Sequence, residues 1–334
     1  MAGIDLVKAR MNVCLIGYGS IAGCHVAALK GEAVTYHTVV GRLPEPTARF
    51  AQEHGFQHHT TDLDAALADP EIEAVVVTSP TDLHFEHAEK ALLAGKHVLC
   101  EIPLATSLRQ VDRLIGLAVE LDRRLMVCHT QRYRPEFVLA REMIARGDIH
   151  VHHIIYRYTM LRRENVNWMG RRRSWTDNLL WHHGCHAVDA ALWLLGATDV
   201  EVSGHVALPG RALGIPMDLA VVLRTPLDQL VNVAMSYNNH TRANDCLVIG
   251  EEDTLLIADG RLTTRDRTLY EPPIDGSDDV RGIADQDREF LAAVREGREP
   301  AVSGRAVRPA MVVLQAVQDQ YDAWAPPGAV HPIG

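Results

Sequence analysis

The stretch Val13–Gly23, VCLIGYGSIAG, constrains this chain more than any other. An apolar run of strand length breaks at a pair of glycines, where a strand hands over to a helix. Gly17, Gly19 and Ala22 fit G-x-G-x-x-(G/A). That turn lets a backbone approach a pyrophosphate and sets it on a helix N-terminus, where free N–H groups and the helix dipole favour negative charge. Gly17 makes the turn, Gly19 leaves room for phosphates, and Ala22 lets the helix sit close on the strand. Ser20 and Ile21 open that helix beside the phosphates. A helix-length stretch read as amphipathic, Ile21–Lys30, and a second strand, Val34–Val40, follow at the spacing of a βαβ unit, so a dinucleotide is the expected ligand.

The alternation continues. Pro44–His54, Leu63–Ala68, Leu83–Ala94 and Thr106–Leu121 read as helices, and Ala74–Thr78, His97–Glu101 and Leu125–His129 as buried strands. This pattern predicts an α/β Rossmann domain, a parallel sheet covered on both faces, over residues 1–130. Beyond it a helix, Pro135–Ala145, precedes long strand-like runs: Val151–Leu161, Val200–Leu208, Leu219–Arg224, Leu230–Tyr237 and Leu247–Ala258. In the fourth of these, Val231, Val233 and Met235 alternate with Asn232, Ala234 and Ser236, as in a strand with one buried face. An α+β domain with an open, mainly antiparallel sheet is expected over 131–305, its second face meeting helices or another subunit. Gln286–Glu296 and Ala306–Trp324 read as amphipathic helices, the last packing back onto the first domain through Val307, Met311, Leu314, Val317 and Tyr321.

Length and composition agree with two such domains: 334 residues, 47% apolar and 23% charged. A net charge of -10 argues against nucleic acid and against an anionic membrane surface. No apolar run reaches the roughly 18 residues of a membrane span. The opening MAGIDLVKAR lacks the apolar core of a signal peptide, so a cytoplasmic protein is expected. Six cysteines without C-x-x-C spacing read as reduced, buried thiols.

The residue after the second strand of a dinucleotide site chooses the cofactor. A carboxylate there takes the ribose hydroxyl of NAD, and an arginine accommodates the 2′-phosphate of NADP. Here the strand runs into Gly41 and Arg42, which favours NADP, with NAD as the second choice. Ser79, Pro80, His84 and Glu101, at the ends of later strands, are further candidate cofactor contacts.

Two stretches beyond the first domain carry candidate chemistry. From Arg157 to Trp175 the chain holds Arg157, Arg162, Arg163, Arg171, Arg172 and Arg173 together with Trp168 and Trp175. Guanidinium groups beside aromatic surfaces suit a planar polycarboxylate, so a small anionic substrate is expected, with Arg132 and Arg134 adding to the same site. The second stretch, WHHGCHAVD, sets His182 and His186 four apart, on one face if helical, with His183 beside them and Asp189 three further on. A histidine there can take a substrate hydroxyl proton while its hydride leaves. The glutamate of a His-Glu-x-x-His zinc motif is missing, and no metal is expected.

Taken together, the glycine turn, Thr78-Ser79-Pro80 with His84, Glu101-Ile102-Pro103, Gly184-x-His186-x-x-Asp189 and the closing REFLAAVREGREPAVSG resemble the glucose-fructose oxidoreductase and inositol dehydrogenase (Gfo/Idh/MocA) family along nearly the whole chain. The resemblance implies an NAD(H)- or NADP(H)-binding Rossmann domain and an open sheet through which members form homodimers or homotetramers. It places Glu101 near the nicotinamide ribose, Pro103 after a cis peptide beside the cofactor, and His186 toward the substrate. Ile102 stands where the family has lysine, and His182 where it has aspartate, so proton transfer would fall to histidines. CEIPLA, HTQRY, LRRENVN and RSWTDNLLWHHGCHAVD resemble a subgroup that oxidises the hemiacetal of 4-carboxy-2-hydroxymuconate-6-semialdehyde to 2-pyrone-4,6-dicarboxylate with NADP. The substrate carboxylates would then be held by Arg132, Arg162, Arg163 and Arg173 beside Trp175. The alternatives are a reductase of a keto-sugar or a bile pigment, and a cofactor-binding sensor without turnover.

Overall fold

Apolar β-branched runs with no polar alternation need cover on both faces, and the strands near the start of the chain receive it. The computed structural model describes residues 10–167, 169–170, 172–173, 175–274 and 277–326. Trp168 and Arg171 of the arginine-rich stretch lie outside the described residues. Strands β1 (Met11–Ile16), β2 (Val34–Val40), β3 (His58–Thr60), β4 (Ala74–Val77), β5 (His97–Cys100) and β6 (Leu125–Val127) form a parallel sheet in the order β3-β2-β1-β4-β5-β6. Helices α1 (Ser20–Ala28), α2 (Pro44–His54), α3 (Leu63–Leu67), α4 (His84–Leu93) and α5 (Leu108–Glu120) connect them. The strand order reverses between β1 and β4, which opens a crevice at their carboxyl ends.

Gly17 closes β1 at that crevice. Its φ is +115°, and a Cβ there would lie 2.7 Å from both the carbonyl oxygen and the hydroxyl of Thr78. Its N–H donates to Val40 O at 2.8 Å, so one residue ties the ends of β1, β2 and β4. A Cβ on Gly19 would meet nothing within 4 Å. The turn is therefore tight on its protein side and open where phosphates would lie, which fits a dinucleotide.

The second sheet runs β14-β13-β12-β11-β7-β10-β9-β8. Its strands are β7 (Val151–Leu161), β8 (Glu201–Val206), β9 (Asp218–Arg224), β10 (Leu230–Ser236), β11 (Asn238–Gly250), β12 (Thr254–Ala258), β13 (Arg261–Thr263) and β14 (Thr268–Tyr270). Neighbours pair antiparallel except β7 with β10. Leu247–Ala258, which reads as one strand, is the end of β11 and all of β12, because the polar Glu251-Glu252-Asp253 turns the chain back. Helices α6 (Pro135–Arg146) and α7 (Cys185–Leu195) belong to this half, and α7 is buried on most of its circumference.

Two long helices join the halves. α8 (Ser277–Glu296), which by sequence falls within 131–305, packs on α1 of the first half. This explains why α1 has no single apolar stripe: the sheet lies on one side of it and α8 on the other. α9 (Gly304–Trp324) touches α5 on one side and α7 and β8 on the other. Gln315 Oε1 accepts from Leu108 N at 3.0 Å, while Gln320 Oε1 accepts from Gly204 N at 2.8 Å. The buried Trp181 indole donates to Gln318 at 3.1 Å.

Gly17→Ala should destabilise the fold by about 2 kcal/mol or more, since it combines a left-handed backbone with a clash against Thr78. Urea unfolding of the variant beside the parent measures it, and an unchanged midpoint would contradict the close approach.

Candidate active site

The sequence C-terminal to β5 leaves the sheet as Glu101, Ile102 and Pro103, with a cis peptide bond between the last two. Glu101 Oε2 accepts from Ile102 N at 3.1 Å. The buried His84 ring lies between Ser79 O and Pro103 O, 2.8 Å from each, and so braces the loops after β4 and β5 against one another. Ser79, whose hydroxyl also meets His87 at 2.8 Å, Pro80 and Pro103 border the same crevice. Ser20 Oγ accepts from Asn167 Nδ2 at 2.7 Å, a contact from the second half onto the glycine turn, next to Ile21. Arg42 is exposed at the end of β2. A Cβ on the neighbouring Gly41 would run into the Thr47 hydroxyl and the Tyr18 ring, so both side chains pack on the bare glycine.

Across the crevice, Leu179–Gly184 forms a π-helical turn leading into α7, and Asn178 caps it by accepting from Leu180 N at 2.8 Å. Such turns re-aim side chains relative to a regular helix. His182 and His183 lie on the turn and His186 on α7, so the three do not share an ordinary helical face. His183 Nδ1 is 2.5 Å from Tyr237 Oη, and its ring stacks on Tyr158. His182 Nε2 lies 3.7 Å from Asp177 Oδ2, while its Nδ1 is buried and has no hydrogen-bond partner among the described residues. The same holds of His186 Nδ1, and the ring of His129 stands edge-on to His186 at 5.9 Å.

All four imidazoles are held neutral. Burial, and then the neighbouring His129 and His182, push His186 down to about 3 against the weaker pull of Glu101 and Asp189. Burial lowers His182, His183 and His129 as well. Since Glu101 acts on both His182 and His186, the carboxylate after β5 and the second-half histidines share one electrostatic environment.

The arginines divide. Arg132 makes a bidentate pair with the buried Asp189 at 2.8 and 2.6 Å and also donates to Ala306 O at 3.1 Å. Arg162 is 5% exposed, 2.6 Å from Asp177, and over the Tyr237 ring. Arg173 is 3.3 Å from the same carboxylate and lies over Trp175. Among the described residues Arg163 donates to neutral acceptors, Arg162 O, Tyr237 O and Asn238 Oδ1, at 3.1, 3.0 and 3.0 Å. Arg157 pairs with Asp245 in the second sheet, Arg172 with Glu164, and Arg134 with Glu136. Burial raises the Asp177 carboxyl, but His182, Arg162 and His183 together hold it below the usual range.

Asp177, His129 and Tyr237 belong to the site although sequence reading did not select them. His129 lies inside HTQRY, and a lone aspartate or tyrosine in a loop carries no spacing signal. Asp177, His182 and His183 also bring ligand-type atoms within 4.8 Å of one another. Arg162 and Arg173 already hold that carboxylate, and two guanidinium groups oppose a cation there.

A family profile described as an oxidoreductase family with an NAD-binding Rossmann fold matches residues 11–129, and one for the C-terminal part of bacterial oxidoreductases matches 135–266. The chain belongs to the Gfo/Idh/MocA oxidoreductases. Among members of this family, it is 33% identical to a 4-carboxy-2-hydroxymuconate-6-semialdehyde dehydrogenase of Sphingobium sp., over 93% of this chain and 99% of that protein. It is 26% identical to an inositol 2-dehydrogenase of Rhizobium meliloti, over 90% and 94%. A levoglucosan dehydrogenase solved with NADH and L-sorbose superposes with a TM-score of 0.83 at 20% identity, covering 94% of this chain and 97% of that one. This Gfo/Idh/MocA oxidoreductase thus has the two-sheet fold of its family, and no helix among its described residues is long and apolar enough to cross a membrane.

Between pH about 6.5 and about 3 the unfolded chain binds a proton on residue 186 that the folded chain refuses, so this site makes stability fall as pH falls. In His186→Gln, the loss of stability between pH 7 and pH 5 should shrink by about 2 kcal/mol. Urea unfolding at both pH values checks this, and an equal loss in both proteins would show that the ring takes up its proton freely.

Proposed function

We propose that this oxidoreductase is an NADP-dependent dehydrogenase acting on CH–OH, which oxidises the cyclic hemiacetal of 4-carboxy-2-hydroxymuconate-6-semialdehyde, or a similar carboxylated aldehyde from aromatic ring cleavage, to 2-pyrone-4,6-dicarboxylate. The observation that carries this reading is the convergence of neutral histidines with Arg162 and Arg173 around the carboxylate of Asp177, with Arg163 next to Arg162 and bonded to Tyr237 O. That arrangement leaves a surplus of positive charge beside a proton acceptor. A planar dicarboxylate matches it better than an uncharged sugar does. The similarity to the Sphingobium enzyme over nearly both full lengths points to the same substrate class.

In this reading Arg163 and Arg173 take the substrate carboxylates through their planar forks, with the Trp175 ring beside them. Arg162 and Arg132 shape the site from behind, through Asp177 and Asp189. When bound, the nicotinamide dinucleotide supplies the hydride acceptor. His186 accepts the hydroxyl proton, with His182 and His183 as its neighbours. In the empty pocket the His186 value of about 3 makes it a weak base. A dianion arriving next to it raises that value, because a nearby opposite charge favours the imidazolium, so the base strengthens when substrate is in place.

For the cofactor, Gly17 and Gly19 face the pyrophosphate, and Ser20, Ile21, Ser79, Pro80, His84, Glu101 and Pro103 line its path. Arg42 is exposed just after β2, and its guanidinium suits a 2′-phosphate. Assembly into a homodimer or homotetramer through the outer face of the second sheet, where Val222 and Leu256 are exposed, belongs to the same proposal.

His186→Ala should lower kcat by about 100-fold or more and leave NADP binding intact. Full turnover in that variant removes His186 from the role. Arg163→Glu should raise KM for the carboxylated substrate with a smaller change in kcat, and an unchanged KM would rule out anchoring there. Arg42→Asp should shift the ratio of kcat/KM values from NADP toward NAD by about tenfold or more, and a ratio equal to the parent's would reassign the choice of cofactor.

A further inference from the structure

His25 lies on α1 and is fully buried. Its Nδ1 is 2.8 Å from Asp287 Oδ2 on α8, and its Nε2 is 3.0 Å from Glu101 Oε1 at the end of β5. A neutral imidazole has a single N–H and can donate to one carboxylate only. With a carboxylate at each nitrogen, both must donate, which makes the ring an imidazolium. Burial alone works against that charge, but Asp287 and then Glu101 override it and push the ring up to about 10.

The line continues outward. Asp287 Oδ1 accepts from Gln286 Nε2 at 3.2 Å, and Gln286 Oε1 accepts from the Thr130 hydroxyl at 3.0 Å. At the other end, the Glu101 side chain is 15% exposed. Among the described residues no lysine or arginine forms an ion pair with it, and the neighbouring Ile102 offers only its backbone N–H. Burial raises the Glu101 carboxyl, and His25 is what chiefly brings it back down, helped by Ile102 N–H and His84.

We propose that His25 is a positioning residue of the dinucleotide site: an imidazolium, locked from behind by Asp287, that keeps Glu101 ionised and turned so that it can accept a hydrogen bond from the nicotinamide ribose. The proposal rests on the reading that Glu101 touches the bound dinucleotide. Around Glu101 stand Cys24 and His25 from α1, Asp287 from α8, His84 from α4, Cys100, Cys128 and His129 from the strand ends, and His182, Cys185 and His186 from the π turn and α7. His25 is the one whose ring directly bonds the carboxylate.

The test is a double-mutant cycle of His25→Gln and Glu101→Gln, with Asp287→Asn as a further variant. It reads NADP and NADPH affinity by fluorescence titration, kcat and dinucleotide KM, and their pH profiles. His25→Gln should weaken dinucleotide binding by about tenfold and raise its KM more than it lowers kcat. The loss should diminish as pH rises, because a Glu101 carboxyl without its cation must be ionised by solution pH instead. The double variant should be no worse than Glu101→Gln alone. Asp287→Asn, which leaves the ring in place, should move binding in the same direction by a smaller factor, and it decides the matter if His25→Gln does not fold.

Each remaining outcome assigns a failure. A Glu101→Gln variant with parental affinity and KM removes Glu101 from the dinucleotide and takes the proposal with it. A damaged Glu101→Gln beside a parental His25→Gln, additive losses in the cycle, or a loss in His25→Gln that is the same at every pH leaves Glu101 at the dinucleotide and overturns the role of His25. Where His25→Gln does not fold, parental affinity and pH profile in Asp287→Asn overturn that role equally.

Discussion

The α-carbon of Gly17 pressed against the carbonyl of Thr78 is the constraint on which the rest of the structure depends. It lets β1 and β4 end side by side at the point where strand order reverses, and so it creates the crevice. Thr78 leads directly to Ser79 and Pro80, and β5, the next strand over, delivers Glu101 to the same edge. The second half of the chain adds the opposite wall. Its π turn and α7 carry the histidines to a place where Glu101 influences them.

Charge in this wall follows a consistent physical rule. Acids that are buried are matched: Asp189 by Arg132, Asp177 by Arg162 and Arg173, and Asp287 by His25. Burial keeps His129, His182, His183 and His186 neutral, and His25, held between two carboxylates, is charged. The same buried side-chain type is therefore neutral at His186 and a cation at His25, and the carboxylates at both nitrogens of His25 are what override burial there.

Much of this was legible in the residues. The glycine turn and the apolar runs of β1, β4 and β5 announce a doubly covered parallel sheet, because β-branched strands without polar alternation have no other place to go. Alternation in β10 gives the open second sheet just as directly. What escaped was structure decided at long range. β3, with the sequence His58-His59-Thr60, is a strand only because β2 lies beside it. The π turn cannot be read from WHHGCH, since its register depends on the Asn178 cap and the burial of Trp181. Arginines that look equivalent in sequence differ in role because their acidic partners come from elsewhere: Asp189 is far along the chain from Arg132, and Asp245 from Arg157. His25 carries no motif at all without Asp287, which is 262 residues away.

Helix α9 fastens the two sheets to each other, with α5 along one flank and α7 and β8 along the other. Swinging the sheets apart would strip one flank of a long apolar stripe and expose it to water, a penalty that no single ligand contact offsets. The segment carrying Asn167 adds a polar tie across the same crevice, a side-chain hydrogen bond to Ser20. One helix shared by both sheets thus sets the distance across the crevice, as a common wall fixes the spacing of two rooms.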